Sequence, residues 1–415
     1  MNGRSERRVL GLKGDALVIS ITEFIHDSGL HLTRGFWSLY PLNLGGSLTV
    51  LGLFGLITGL GSIIFQPLCG YISDKFGRKK PVVVGGFIVA AGPFLEAIAT
   101  HWTGLIPGRI LESVDGGLWS ARQALFADSA DPERRGVSFA TFYTIMSLTA
   151  SIMPVMGGIF LDVVGISGMR ILLAVAGLVR VVQSILNAKF LREEPRTIDD
   201  DGQGRISAGR GVSLSFRGVI REMFEPVAAQ RTLQVMIITS TVASISMGLV
   251  ESFNVIYVTE FIGISKTEWG LVQSVSGILN MLLRIPLGSV TDRYGRRLCI
   301  LVDYVFRPVY TLMFVHVQGF TQLLTLNALN IPLQDIGSSA WQALIADVAP
   351  AEKRGRLYGT FGMTRSIFHS IAPSMGAILW ETHGPVSTFY VVAVVRFLAA
   401  VFVFLFLEEP RVREL

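Results

Sequence analysis

Two short basic stretches, 70-GYISDKFGRKKP-81 and 288-GSVTDRYGRRL-298, each lie between two long apolar segments. The first holds five charged residues, and the second repeats its spacing of glycine, aspartate, glycine and arginine. Half of the 415 residues are hydrophobic and only 16% are charged, which is unusual for a soluble chain of this length. Compact basic turns between apolar segments are typical of chains that cross a membrane repeatedly.

The apolar segments have the length of membrane-spanning helices. About 20 residues cross the hydrocarbon core, and in lipid they must be helical because their backbone finds no water to bond. We therefore predict an all-α membrane protein with twelve spans. These spans cover residues 15–41, 48–72, 80–100, 103–127, 138–163, 168–190, 233–260, 268–290, 298–318, 321–346, 358–380 and 386–407.

Lysine and arginine are concentrated in every second loop. The turns 73-SDKFGRKK-80 and 291-TDRYGRR-297 are strongly basic, whereas loops such as 43-NLGGS-47 carry no basic residue. By the positive-inside rule, the basic loops and both termini are predicted to be cytoplasmic, in a multi-pass protein of the plasma membrane. This placement accounts for the net charge of +5 without a nucleic-acid partner.

The chain contains an internal repeat. The segment 122-RQALFADSADPERRG-136 matches 341-WQALIADVAPAEKRG-355, and 154-PVMGG-158 matches 373-PSMGA-377. We predict an N-terminal six-helix bundle over residues 1–191, a cytoplasmic linker over 192–231 and a C-terminal six-helix bundle over 232–415. The linker contains 199-DDDGQGR-205, a sequence too polar to pack a core.

The duplicated turn, G-x-x-x-D-x-x-G-R-[RK], resembles the signature loop of the major facilitator superfamily. The resemblance implies two pseudo-symmetric bundles and a cytoplasmic gate, in which Arg78 and Arg296 reach aspartates at the ends of spans 4 and 10. In the family, this network holds the cytoplasmic side shut until the halves rock. The alternative is that these charges only set the topology. The expected gating residues are Gly70, Asp74, Gly77, Arg78, Asp128, Asp292, Gly295, Arg296 and Asp347.

Topology does not explain the ionisable residues of span 1. Glu23, Asp27 and Arg34 fall within about 40° of one another on a helix, with His26 and His31 beside them. A charge facing lipid at mid-span costs about 2.5 kcal/mol or more, so these side chains must face protein or a wet cavity. They either carry protons and solute or form a static network between helices.

Other spans also carry ionisable residues. Arg109 and Glu112 share one face of span 4, with Asp115 toward its edge. The resemblance places spans 1, 4, 7 and 10 around a central cavity. Glu96, Arg180 and Arg396 are expected at the periphery, and Arg365 and His369 are left open between cavity and scaffold. The predicted solute- and proton-binding residues are Glu23, Asp27, His31, Arg34, Arg109, Glu112, Asp115, Glu251 and Asp335.

These features predict a secondary active transporter, proton-coupled, that moves a small polar or charged organic solute by alternating access. We expect it to function as a monomer in the lipid bilayer, with no cofactor, no metal and no enzymatic activity. The sequence has no G-x-x-x-x-G-K-[ST] motif for an ATP-driven pump. Two alternatives stay open: a proton-driven multidrug efflux antiporter, favoured by aromatic residues such as Trp37, and a membrane sensor that keeps the fold without transport.

Overall fold

The computed structural model of the chain describes residues 12–131, 135–192, 224–225, 227–228, 230–348 and 354–408. Within these ranges the chain forms helices joined by short turns, and no β-strand is present. In chain order, spans 1 to 12 are Gly14–Arg34 with Leu39–Asn43, Leu48–Phe76, Lys79–Ile98, Leu105–Glu112 with Asp115–Ser129, Arg135–Val164, Met169–Phe190, Arg231–Glu251 with Asn254–Ile256 and Tyr257–Ile262, Lys266–Tyr294, Arg296–Val315, Phe320–Val348, Arg354–His383 and Pro385–Phe406.

The spans pack as two equivalent bundles. In the N-terminal half, span 1 packs on spans 5 and 6, and span 3 packs on span 6. In the C-terminal half, span 7 packs in the same way on spans 11 and 12, and span 9 on span 12. The halves meet where span 2 packs on span 11 and span 5 on span 8. The predicted fold is thus confirmed. The linker bounds stay a prediction, because residues 193–223 lie outside the described residues.

The spans differ in polarity according to their position. Among the described residues, seven helical stretches are long and apolar enough to cross a bilayer by composition alone. Spans 1, 4, 8, 10 and 11 do not meet this requirement of length and composition. The seven apolar stretches are Leu48–Gln66, Lys79–Ile98, Gly136–Val164, Ile166–Phe190, Arg231–Ile262, Arg296–Val315 and Pro385–Phe406.

The outer faces of the apolar spans suit lipid. Val84 on span 3, Ile171 on span 6, Val305 on span 9 and Val394 on span 12 are all exposed in the isolated chain. A bilayer is the environment that removes such surface from water. The chain is therefore an integral membrane protein.

Three spans are interrupted, although the sequence predicts continuous helices. Span 1 breaks at residues 35–38, span 7 at residues 252–253 and span 4 at residues 113–114. Spans 1 and 7 are equivalent in the two halves, so their breaks obey the pseudo-symmetry. At the break in span 4, the Ser113 N–H still reaches the Arg109 carbonyl at 3.0 Å and the Ser113 hydroxyl donates to the Ile110 carbonyl at 2.6 Å. These bonds satisfy the backbone at membrane depth.

The two ends of the molecule differ in how the halves meet. We call the end with the turns at Gly77 and Gly295 the basic end and the opposite end the far end. Toward the far end, small residues let the halves approach closely. A Cβ added at Gly52 would lie 2.5 Å from the Ser374 Cα, and one at Gly277 would lie 2.8 Å from the Ser151 hydroxyl oxygen.

A hydrogen bond from a tryptophan side chain also holds the halves together at this end. The Trp269 indole N–H on span 8 donates to the Gly35 carbonyl at 3.2 Å, across the boundary between the halves. Gly35 itself lies against the Gln273 side chain of the same span. The far end is therefore closed over the space between the bundles.

Candidate functional site

A cavity of about 510 Å³ lies between the halves at the depth where spans 1, 4 and 7 break. Its volume is in the range of small-molecule binding sites. Arginine, glutamate and histidine side chains share its wall with serine, threonine and a few apolar groups. The lining residues are Leu30, Thr33, Arg34, Trp37, Ser38, Leu51, Phe54, Gly55, Thr58, Gly59, Ser62, Arg109, Glu112, Leu173, Met247, Glu251, Ser252, Arg365, Ser366, His369, Ser370 and Pro373.

One ionic cluster in the cavity joins the two halves. Arg34, at the end of the first helix of span 1, lies 3.7 Å from Glu251, at the equivalent break in span 7. The other Glu251 oxygen lies 2.8 Å from the His369 Nε2 on span 11. The side chains of Arg34, Glu251 and His369 are 64%, 38% and 34% exposed, so a solute in the cavity can contact all three.

Arg365 lies one helical turn before His369 and also lines the cavity. Its side chain is exposed, and it makes no hydrogen bond or ion pair with any residue that the structure describes. The cavity therefore presents a guanidinium that no described carboxylate holds, in addition to the largely exposed Arg34.

A second cluster, which we call the upper network, extends from the cavity wall into the interior of the N-terminal half. Arg109 and Arg180 both pair with Glu112, at 2.5 and 3.0 Å. The buried Glu96 accepts a 2.8 Å hydrogen bond from the Trp37 indole and lies 3.9 Å from the Arg109 Nε. The Arg109 guanidinium stacks 3.8 Å from the centre of the Trp37 ring. The negative charges of Glu96 and Glu112 therefore balance the positive charges of Arg109 and Arg180.

A third cluster, the lower network, lies nearer the basic end of the same half. Arg122 lies 3.0 Å from Glu23 and 2.9 Å from Asp115, so one guanidinium holds two carboxylates. The Gln183 amide donates to Glu23 at 2.9 Å, and His26 lies 3.4 Å from Asp115. Glu23 and Arg122 are fully or nearly fully buried, which makes their pairing obligatory.

Asp27 gives the lower network an excess of carboxylates. It follows His26 on span 1 and is half-buried, and it makes no hydrogen bond or ion pair with any described residue. Together with Glu23 and Asp115, it places three carboxylates around the single guanidinium of Arg122 and the imidazole of His26. Unlike the upper network, this cluster is not balanced by fixed charge.

The break in span 4 separates the two networks. Glu112 ends the helix that carries Arg109 and belongs to the upper network, whereas Asp115 begins the next helix and belongs to the lower one. A change of charge in either network therefore acts on one of the two helices that meet at residues 113–114.

The C-terminal half has its own ion pair on span 9, between a buried aspartate and a half-buried arginine. Arg307 donates to Asp303 through two bonds of 2.8 and 2.7 Å. Arg396 on span 12 donates to the Thr311 hydroxyl at 2.6 Å. These residues do not line the cavity, which fits a scaffold role. Asp335 on span 10 is half-buried and is also absent from the cavity wall.

The structure separates residues that the helical pattern groups together. Arg34 shares a face with Glu23, but 11 residues correspond to roughly 16 Å along a helix. Arg34 therefore faces Glu251 in the other half, and Glu23 pairs with Arg122. His31 is half-buried between these levels, outside the cavity lining, and makes no ion pair within the described residues.

Sequence reasoning missed some members of the networks. Glu96 and Arg180 are expected at the periphery, yet both are buried, and they pair with residues of span 4. Arg122 is absent from the predicted site, although it holds the lower network together. Their signal was the charge itself, because a charged residue within an apolar span needs a partner. Arg365 and His369, for which the sequence favours neither cavity nor scaffold, both line the cavity.

The duplicated turns occupy equivalent places at the basic end. Gly77 and Gly295 adopt positive φ values of 84° and 86°, which favour glycine. Arg78 pairs with Asp128 and donates to the Ala124 carbonyl at 2.5 Å, tying the turn to the end of span 4.

The second turn repeats this arrangement. Arg296 pairs with Asp347 and donates to the Ala343 carbonyl at 3.2 Å. Both arginine contacts lie within one half. The side chains of Asp74 and Asp292 lie outside the described residues, and their predicted role in the gate stays a prediction.

Comparison with known proteins identifies relatives along the whole length of the chain. A family model described as Major Facilitator Superfamily matches residues 19–253 and 236–415. The chain is 23% identical over 383 residues to a multi-drug resistance efflux pump PmrA homolog of Lactococcus lactis, covering 90% of this chain and 89% of the relative. It is 25% identical over 388 residues to the multidrug resistance protein MdtG of Salmonella paratyphi A, covering 91% and 92%.

Solved structures share the fold. The nucleoside transporter NupG superposes with a TM-score of 0.70 at 15% identity, covering 94% of this chain and 98% of that one. A D-xylose-proton symporter gives the same TM-score at 16% identity, with coverage of 95% and 98%. At these identities the likeness supports the arrangement of the helices alone.

The lower network generates a prediction about stability. Arg122→Met leaves Glu23 and Asp115 without their shared partner in a buried site. We expect a loss of about 3–5 kcal/mol in the free energy of unfolding. Arg34→Met, which removes a largely exposed arginine from the same half, is expected to change it by less than about 1 kcal/mol. Thermal unfolding of the purified variants in detergent measures both, and equal melting temperatures would show that Arg122 is not structurally required.

Proposed function

Because the chain belongs to the major facilitator superfamily, we propose that it is a proton-coupled secondary transporter whose central cavity binds a small organic anion. One observation carries this proposal: the cavity has an excess of positive charge, and the lower network has an excess of negative charge. In the cavity, Arg365 makes no ion pair with any residue that the structure describes, so Arg34 and Arg365 have Glu251 as their nearby carboxylate; the lower network has a surplus carboxylate, Asp27. An anionic solute satisfies the first imbalance and a proton satisfies the second.

The charges of the cavity favour an anion. Glu112 is occupied by Arg109 and Arg180, and Glu251 is occupied by Arg34 and His369. These carboxylates are therefore already neutralised. Arg365 remains to bind a carboxylate or similar group, and a guanidinium does so through two parallel hydrogen bonds.

The walls beside Arg365 suit the organic part of such a solute. Trp37 and Phe54 meet edge to face, with ring centres 5.2 Å apart, and both line the cavity. Ser366 and Ser370 add hydroxyl groups from span 11, the helix that carries Arg365. An anionic group and an apolar or aromatic body would each find a complementary surface.

The lower network suits proton exchange. Two carboxylates share Arg122, and Asp27 makes no ion pair and accepts no hydrogen bond within the part of the chain that the structure describes. Mutual repulsion among three nearby carboxylates favours binding of a proton by one of them. Asp27 and Asp115 are both half-buried, but Asp115 is held by Arg122, so Asp27 is the member best placed to exchange that proton with water.

The break in span 4 offers a route by which proton binding in the lower network can move residues of the cavity wall. A proton on Asp27 removes the repulsion between this carboxylate and Glu23 and Asp115, and so changes how those two share Arg122 at the second helix of span 4. Movement there changes the angle at residues 113–114 and displaces Glu112 with its partners Arg109 and Arg180. In other transporters, discontinuous helices form the substrate and ion sites near the bilayer midplane.

The orientation follows from the distribution of charge. The basic end is proposed to be cytoplasmic, with both termini on that side, and the far end to be external, in the plasma membrane. The structure, closed at the far end, then corresponds to a state sealed against the outside. One chain supplies both halves of the cavity, so a monomer suffices for transport.

A second candidate function is proton-driven multidrug efflux. It is favoured by two relatives whose names describe multidrug resistance and by the aromatic wall formed by Trp37 and Phe54. Transport assays in proteoliposomes separate the two. A multidrug exporter accepts cationic and neutral aromatic compounds, whereas the anion transporter proposed here rejects them. A sensor without transport activity would move no solute in either assay.

Asp27→Asn tests the proton site. The amide cannot take up or release a proton, so we expect solute flux driven by a pH gradient to fall to background while counterflow of solute without a gradient persists. Glu260→Gln, which removes an exposed carboxylate at the far end, is the matched control and should keep both activities. Normal pH-driven flux in the Asp27→Asn variant would remove this residue from the coupling mechanism.

Arg365→Gln tests the class of solute. The assay uses a panel of small carboxylates, each paired with its neutral amide. Loss of a charge-assisted hydrogen bond should raise the KM for carboxylates roughly 10- to 100-fold, with Arg365→Lys recovering part of the loss. KM values for the amides should not change. An equal effect of Arg365→Gln on acids and amides would mean that Arg365 shapes the cavity without selecting charge.

A further inference from the structure

Two carboxylates at equivalent positions reach across the boundary between the halves at the far end. Asp162 lies near the end of span 5 in 154-PVMGGIFLD-162, and Glu381 lies near the end of span 11 in 373-PSMGAILWE-381. Each accepts hydrogen bonds at the first turn of a helix that belongs to the other half. The repeat that duplicated the bundles thus also duplicated this contact.

Asp162 binds the start of span 8. Its two oxygens accept the Lys266 and Thr267 backbone N–H groups at 3.1 and 2.8 Å, and the Lys266 ammonium lies 3.6 Å away. A capping box formed by Ser265 and Glu268 satisfies the other two N–H groups of this turn. The four N–H groups that a helix leaves unpaired at its start are therefore all bonded, two of them by the other half.

Glu381 binds the start of span 2 in the same position. It accepts the Thr49 backbone N–H at 3.1 Å and the Thr49 hydroxyl at 2.8 Å. Thr49 corresponds to Thr267, since 47-SLT-49 and 265-SKT-267 open the two helices. Ser47 provides no side-chain cap for span 2, so the carboxylate from span 11 takes over that function.

We propose that Asp162 and Glu381 are twin clasps, which hold the far end closed by capping spans 8 and 2 from the opposite half. A carboxylate is stabilised at a helix N-terminus by the aligned peptide dipoles and by bonds to the free N–H groups. Both benefits exist only while the halves touch at this end. The clasps thus favour the closed state without direct contact with the solute.

The clasps are also able to open. Asp162 is 28% exposed and Glu381 is exposed, so water can replace the lost hydrogen bonds when the halves separate. A buried pair would make the same opening far more costly. Partial exposure makes the contact strong enough to bias the equilibrium and weak enough to be reversed in each transport cycle.

The test measures the distance between the halves in the full-length protein. Nitroxide labels are placed at Thr100→Cys and Gln318→Cys, two exposed far-end positions in opposite halves, after Cys69 and Cys299 are replaced by alanine. Asp162→Asn should increase the ratio of open to closed far-end distances roughly tenfold, because an amide carries no charge and has a single acceptor oxygen. Glu381→Gln should act in the same direction with a smaller effect, since it breaks only one backbone bond.

Glu268→Gln is the matched control. It removes an acidic side chain from the same helix start, but one that belongs to the same half as the helix, and it should leave the distances unchanged. Thermal unfolding of each variant shows whether the fold persists. Unchanged distances in folded Asp162→Asn and Glu381→Gln, or an equal shift in Glu268→Gln, would overturn the proposal. Because the readout is a conformation and uses no solute, it is independent of the proposed anion and of proton coupling.

Discussion

The cost of placing a charge at membrane depth governs the arrangement of this molecule. A single unpaired charge exposed to lipid would consume a sizeable part of the stability of the fold. The spans nevertheless carry Glu23, Glu96, Glu112, Arg122 and Arg180 in buried or nearly buried positions. They are tolerated because every one of them has a partner of opposite charge within 4 Å. The helices that bear them must therefore face one another, and this constraint fixes which faces form the interior of the N-terminal half.

The two bundles meet this constraint differently. The N-terminal half concentrates its charges in two networks on either side of the broken span 4, one balanced and one with excess carboxylate. The C-terminal half keeps a compact pair, Asp303 with Arg307, away from the cavity. It contributes Glu251, His369 and Arg365 to the cavity instead. The backbone symmetry of the fold is therefore not matched by chemical symmetry, and the proposed proton site lies in the N-terminal half.

Much of this architecture is accessible from the sequence, and the limits are physical. Length, apolarity and the repeated turn determine the number of spans and their pairing into halves. A helical projection, however, gives the angle of a side chain and not its depth, so it groups Arg34 with Glu23 although they serve different clusters. It also treats span 4 as one continuous helix, whereas the break at residues 113–114 assigns Glu112 and Asp115 to different networks. Partners such as Glu96 and Arg180 depend on how spans 3 and 6 pack, which no local pattern encodes.

The contacts at the two ends imply that opening the far end costs more free energy than opening the basic end. At the basic end, Arg78 with Asp128 and Arg296 with Asp347 each join elements of one half, so these pairs can persist while the halves move as rigid bodies. At the far end, Asp162 and Glu381 join opposite halves and must break whenever that end opens. Opening of the far end therefore requires compensating contacts elsewhere. The ion pair between Arg34 and Glu251 also crosses the boundary, and a bound anion that competes for Arg34 would weaken it. The solute would then supply part of the free energy that opens the far end.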